Sequence, residues 1–174
     1  GGTGKGHLVY EIDALGGAIY VNSGLQIANN NNVLLRGNYE QQGSDYRLRS
    51  IYAAYYGDGI ALSAAAGKNI EFRDSVYVGS GTAVKLNEDY TYQDAEGKSV
   101  TVKQSGDIIF TGKYAEAHLN EIMEADGIGR SATAEEIRRS RTTEVYGMTE
   151  LYGGRLRVEE GAIYKGWGIT AMEN

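Results

Sequence analysis

Few side chains in this sequence combine the types and spacing that chemistry requires. Asp58 and Asp126 each stand before a glycine. Two aspartates brought within hydrogen-bonding distance can share one proton and activate a water, which is the chemistry of an aspartyl-type peptidase. The Asp-Thr-Gly or Asp-Ser-Gly signature of such enzymes is absent, and an Asp-Gly pair is above all a turn former. His7 and His118 are the two histidines. A serine triad would need one of them beside a buried carboxylate and an exposed serine, yet no Gly-x-Ser-x-Gly elbow occurs. His118 falls on the polar side of an expected helix, where water solvates it. Glycan cleavage would use two carboxylates about 5 to 9 Å apart; Glu71 with Asp74, or Glu159 with Glu160, lie near expected strands, but no spacing singles them out. Gly1 to Gly6 lacks the preceding strand, the four-residue gap and the Ser or Thr after lysine that a phosphate loop needs.

Tyrosine and arginine offer binding rather than catalysis. Tyr46, Tyr52, Tyr55 and Tyr56 cluster around Arg47 and Arg49, and Tyr90 and Tyr92 follow on a separate segment. Exposed tyrosine with arginine supplies rigid contact area for protein or sugar, although tyrosine also caps strand ends with its hydroxyl in water. Asn87, Glu88 and Asp89 lack calcium-loop spacing, and without cysteine there are no thiolate zinc sites, disulfides or thiol nucleophile. No metal and no cofactor is expected.

The elements that must position these groups read as strands. With 25 glycines, 14 tyrosines and no proline among 174 residues, the chain suits short strands joined by tight turns. Its 41% hydrophobic fraction is enough for a core. The net charge is −6 and no basic block tracks a phosphate backbone, so nucleic acid is excluded as a partner. No apolar run reaches the roughly 20 residues of a membrane span, so this segment is not expected to insert into a membrane. The amino end lacks the apolar core of a signal peptide, and the expectation is a longer parent chain whose export signal lies upstream.

Internal repetition is the strongest signal. Val33-Leu34-Leu35, Ile70-Glu71-Phe72, Ile108-Ile109-Phe110 and Leu156-Arg157-Val158 each lead through a turn residue to an aromatic, and they start 37, 38 and 48 residues apart. Shorter strands, Ala18 to Val21, Gly59 to Leu62 and Ala83 to Leu86, precede three of them with period two. Stacking would turn Val33, Leu35, Ile70, Phe72, Ile108, Phe110, Leu156 and Val158 into an inward ladder. Residues 1–15 read as leader and first strand, 16–112 as repeats, and 143–174 as a final repeat. A hairpin is expected at 89–102 and a helical insertion at 113–142. In that insertion Ala115, Leu119, Ile122 and Met123 recur at helical spacing before Gly127, and Thr133 to Glu136 forms a capping box.

Gly16-Gly17-Ala18-Ile19-Tyr20, then Leu25-Gln26-Ile27 and Asn29-Asn30-Asn31-Asn32 before Val33 to Asn38, resembles the passenger repeat of bacterial autotransporter and polymorphic outer-membrane proteins. The resemblance covers residues 16 to about 112 and returns at Gly153 to Gly168. It implies export and display at the cell surface, commonly for adhesion or as a carrier of an enzymatic module. The fold expected is all-β, a parallel right-handed β-helix (solenoid) with a helical insertion; a β-sandwich or an α+β fold is the alternative. The function expected is a secreted or surface-displayed binding or structural module of a host-associated bacterium, adhering to a glycoprotein such as mucin or to host matrix. A secreted aspartyl-type peptidase acting on such a glycoprotein is the alternative.

Overall fold

The computed structural model describes residues 19–21, 25–29, 31–53, 59–79 and 81–172. In chain order the strands begin with β1 (Ile19–Val21), β2 (Leu25–Asn29), β3 (Val33–Leu35), β4 (Asn38–Gln42), β5 (Asp45–Ala53) and β6 (Ile60–Ala64). They continue with β7 (Asn69–Phe72), β8 (Ser75–Val78), β9 (Val84–Leu86), β10 (Tyr90–Gln93), β11 (Ser99–Val102) and β12 (Asp107–Thr111). Two helices, α1 (Ala115–Ala125) and α2 (Ala134–Ser140), precede β13 (Thr142–Val145), β14 (Met148–Leu151), β15 (Arg155–Glu159), β16 (Ile163–Lys165) and β17 (Gly168–Ala171).

Alternating apolar positions decide which strands pair. Val33, Ile70, Ile108 and Leu156 stand opposite one another in the parallel sheet β3-β7-β12-β15, as do Leu35, Phe72, Phe110 and Val158. The Phe72 and Phe110 rings stack at 4.8 Å between centroids. All of these side chains are buried up to β12, whereas Val158 on β15, the edge strand of this sheet among the described residues, is 42% exposed. Parallel pairing also builds the five-stranded sheet β2-β6-β9-β14-β17 and most of the six-stranded sheet β1-β5-β8-β13-β16. The three sheets bury Ile27, Ile51, Leu62, Ile70, Leu86 and Ile108 in one shared core.

This architecture corrects the expected all-β single solenoid. Among the described residues there are four sheets rather than one stack: β4 joins β5 antiparallel, which makes the six-stranded sheet mixed, and β10 and β11 form a separate antiparallel pair. The physical reason lies in two local turns. Gly43 at φ +62° followed by Ser44 forms the two-residue connection that folds β5 back on β4. Asp94 holds the other turn by accepting from the backbone N–H groups of Glu96 and Lys98. The two helices pack onto strand β5. A β-sandwich fails as well, since such sandwiches pair antiparallel and these sheets are mostly parallel. The chain is mostly β, with four mostly parallel sheets and two helices.

The helices begin and end where their chemistry dictates. The Thr133 hydroxyl accepts from Glu136 N–H while the Glu136 carboxylate accepts from Thr133 N–H, so two otherwise orphaned donors are satisfied. At the end of α1, Gly127 at φ +75° lets its own N–H reach Glu124 O and Ile128 N–H reach Met123 O. Leu119 and Met123 then bury against Tyr46 and Leu48 of β5, forming a second apolar cluster. His118, expected in solvent, is buried there instead: its Nδ1 lies 2.9 Å from Asp74 Oδ2, which also accepts from Gly37 N–H at 2.6 Å. Any side chain at position 37 would meet the Arg49 carbonyl at 1.7 Å, so glycine is required for the chain to pass this close to β5.

Both strands of the β10-β11 hairpin are largely exposed, and neither pairs with any further described strand. Replacing Asp94 to Lys98 with a two-residue Asn-Gly turn is therefore expected to change stability by less than about 0.5 kcal/mol, measured by thermal unfolding. Global loss of structure would show that the hairpin supports the core.

Candidate functional site

The outward row of the six-stranded sheet collects the polar and aromatic side chains. Strand pairing sets Tyr52 beside Tyr77, Tyr77 beside Glu144, and Glu144 beside Lys165. A break in strand register between Arg49 and Ile51 makes this row possible. Strict period two would put Arg47, Arg49 and Ile51 on one face. The extra residue at the bulge sends Ile51 and Ala53 into the core while Arg49 stays against Tyr77, on the side of Tyr52.

Charge on this face is concentrated in four groups. Arg47 Nε lies 3.1 Å from Glu40 Oε2, and Arg49 Nε lies 3.4 Å from the same oxygen. Their outer nitrogens reach Glu144 Oε1 at 3.7 Å and 3.6 Å. Arg49 is only 1% exposed, and its Nη1 and Nη2 form no hydrogen bond. Burial, and after it the neighbouring Arg47, lowers the Arg49 pKa from its ordinary value. The guanidinium carbon sits 4.7 Å from the Tyr77 ring centre, so an aromatic face supplies part of the solvation that water cannot. Burial also raises the Tyr77 pKa, with Tyr146 and Tyr52 adding to the effect.

The aromatic row leads into a cleft. Tyr52 and Tyr77 stack at 5.0 Å, and Tyr146 meets Tyr77 edge-on at 5.8 Å. Beyond Tyr146, an opening of about 180 Å³ is lined by Glu144, Val145, Tyr146, Lys165, Gly166 and Trp167. Tyr146 is 45% exposed and Trp167 is 66% exposed. They sit on successive turns, between β13 and β14 and between β16 and β17, linked by the hydrogen bond from Trp167 N–H to Gly147 O. Position 147 must be glycine for its turn to lie against the segment between β8 and β9, since a Cβ there would lie 2.4 Å from Thr82 O.

The structure divides the residues singled out from sequence. Arg47, Arg49 and Tyr52 belong to the row, while Tyr46 packs under the helices. Tyr55, Tyr56 and Asp58 lie outside the described residues, as do His7 and the Gly16-Gly17-Ala18 element. Asp126 is exposed at the end of α1, where its carboxylate raises the Tyr39 pKa. Glu71 pairs with Arg73, and Glu159 with Arg157. Tyr90 and Tyr92 stack on the separate hairpin. Asn87 is buried and structural: its side chain accepts from Ala64 N–H and donates to Gly106 O and Gly153 O. No group of three or more metal-ligating His, Asp or Glu side chains occurs among the described residues.

Sequence reading missed Tyr146, Trp167, Glu144 and Lys165. An available signal was the aromatic-glycine pair, which recurs as Tyr56-Gly57, Tyr146-Gly147, Tyr152-Gly153 and Trp167-Gly168. No protein-family model matches the chain, and no curated protein or solved structure is significantly similar to it. No described helix is long and apolar enough to cross a membrane.

Proposed function

We propose that the chain is a binding module that holds the glycan of a glycoprotein, mucin being the natural type, against the Tyr52-Tyr77-Tyr146 row and the cleft beside Trp167. The observation that carries this reading is the continuity of stacked tyrosines with a cleft whose walls include two half-exposed or better aromatic rings. The exposed parts of the Tyr146 and Trp167 rings offer apolar surface to the C–H faces of a sugar, and the Tyr52-Tyr77 stack behind Tyr146 helps hold its ring in place at little cost in side-chain entropy. The surrounding charged groups supply donors and acceptors for its hydroxyls. The resemblance to surface-displayed passenger repeats supports a setting outside the cell, where such a ligand would be met.

Retention on immobilised mucin tests the reading. Trp167→Ala combined with Tyr146→Ala is expected to weaken retention at least tenfold, in line with aromatic anchors at other interfaces. The melting temperature should stay near that of the parent, because both rings are largely outside the core. Unchanged retention by the double variant would remove the cleft from the binding surface.

A further inference from the structure

We infer that the cleft selects a sugar ring carrying an anionic substituent, a carboxylate or a sulfate, and that Lys165 reads this charge. The inference rests on the glycan-binding reading and narrows it to a ligand class. Three observations carry it. First, Lys165 lines the cleft, is exposed, and forms no ion pair among the described residues. Second, the carboxylate nearest to it along the row is already engaged: Glu144 lies against both Arg47 and Arg49, and its other oxygen is 3.5 Å from the Tyr146 hydroxyl. Third, Arg49 is buried with both terminal nitrogens lacking a hydrogen bond and one of them 3.6 Å from Glu144, so that carboxylate is shared between two arginines and is not Lys165's alone.

Three cations, Arg47, Arg49 and Lys165, therefore face two carboxylates, Glu40 and Glu144, in a chain whose net charge is −6. A local positive surplus on a negative protein favours an anion at this place over elsewhere on its surface. The geometry separates the two tasks. Trp167 and Tyr146 offer aromatic surface for the ring, and Lys165, lining the same cleft, is the cation available to the ring's charged substituent. Lysine, a compact point charge, suits carboxylate and sulfate alike.

Calorimetric titration with three probes built on one disaccharide tests the inference: lactose, sialylated lactose and sulfated lactose. One or both anionic probes are expected to bind at least tenfold more tightly than lactose at low salt, and the one that does identifies the favoured group. Raising the ionic strength should shrink that preference, since an exposed charge pair is screened. Lys165→Gln should bring the affinity for the anionic probes down to that of lactose measured on the same variant, with the melting temperature unchanged, and Lys165→Arg should restore most of the preference. Equal binding of all three probes, or a preference that survives in Lys165→Gln, overturns the inference and leaves the glycan-binding reading standing. If no probe binds and mucin is not retained either, both fall.

Discussion

Phe110→Asp is expected to cost more than about 4 kcal/mol, a large share of the stability of the fold. Truncating a buried phenylalanine alone costs about 3 to 5 kcal/mol, and a carboxylate in its place has no partner to offset its desolvation. Phe110 is 5% exposed, stacked flat on Phe72 and edge-on to Tyr164, and surrounded by the shared core. Against a typical domain stability of about 5 to 15 kcal/mol, such a loss is decisive. Val158→Asp provides the control. It sits at the matching position of the next strand, where the side chain is in water, and should cost no more than about 1 kcal/mol. Urea unfolding of the two variants measures both values; equal effects would contradict the burial gradient along this ladder.

Glu136→Gln is expected to lose about 3 kcal/mol at pH 7, and the loss should vanish in acid. Glu136 is fully buried yet charged, because Arg130 grips both oxygens at 2.7 and 2.9 Å and the N–H groups of Thr133 and Tyr46 donate to them. These partners, Arg130 foremost, hold its pKa down at about 2 against an ordinary 4.5. A depressed carboxylate contributes stability above its unfolded pKa and loses it as the pH falls toward the folded one. The contribution is thus complete above about pH 5 and gone near pH 2, and every tenfold change in proton affinity between the folded and unfolded chain is worth about 1.4 kcal/mol. Glutamine keeps the shape and one acceptor oxygen but places an NH2 where the other oxygen accepts, much as protonation places an O–H there, so the variant is the counterpart of the parent's acid form. Urea unfolding of parent and variant at pH 7 and pH 3 should show the gap narrowing in acid. A gap independent of pH would mean that shape, not charge, fixes α2 to β5.

Much of the local structure was legible because it depends on neighbouring residues. The apolar spacing of Ile70, Phe72, Ile108 and Phe110, the Gly127 stop and the Thr133 to Glu136 box each declare an element within one turn or strand. What was not legible depends on a single residue that changes the parity of a strand. Gly43-Ser44 is a recognised hairpin turn, yet its arms, Asn38 to Gln42 and Asp45 to Ala53, are too polar to announce a pair. The bulge before Ile51 cannot be read from side-chain type, and without it Arg49 and Ile51 would share a face. His118 was misplaced for a related reason: helical spacing puts it off the apolar stripe, but Asp74, distant in sequence, provides the buried partner. Of the candidate site, Arg47, Arg49 and Tyr52 could be found as a cluster in sequence, while Glu144, Tyr146, Lys165 and Trp167 arrive from two later strands and turns.

The mixed pairing of β5 has a consequence for the order in which the chain folds. Among the described strands only β4 with β5 and β10 with β11 close across a short turn; every parallel pair must first bring together distant segments. Local hairpins form in microseconds, and non-local pairing is slower. Glu40, Arg47 and Arg49 accordingly meet early, on a hairpin that already holds two like charges side by side. Glu144 reaches them only when β13 docks on β8, and Lys165 follows with β16. The charged face is begun by a fast local event and completed by slow assembly, so binding competence should appear late in refolding, after most of the strand signal has returned.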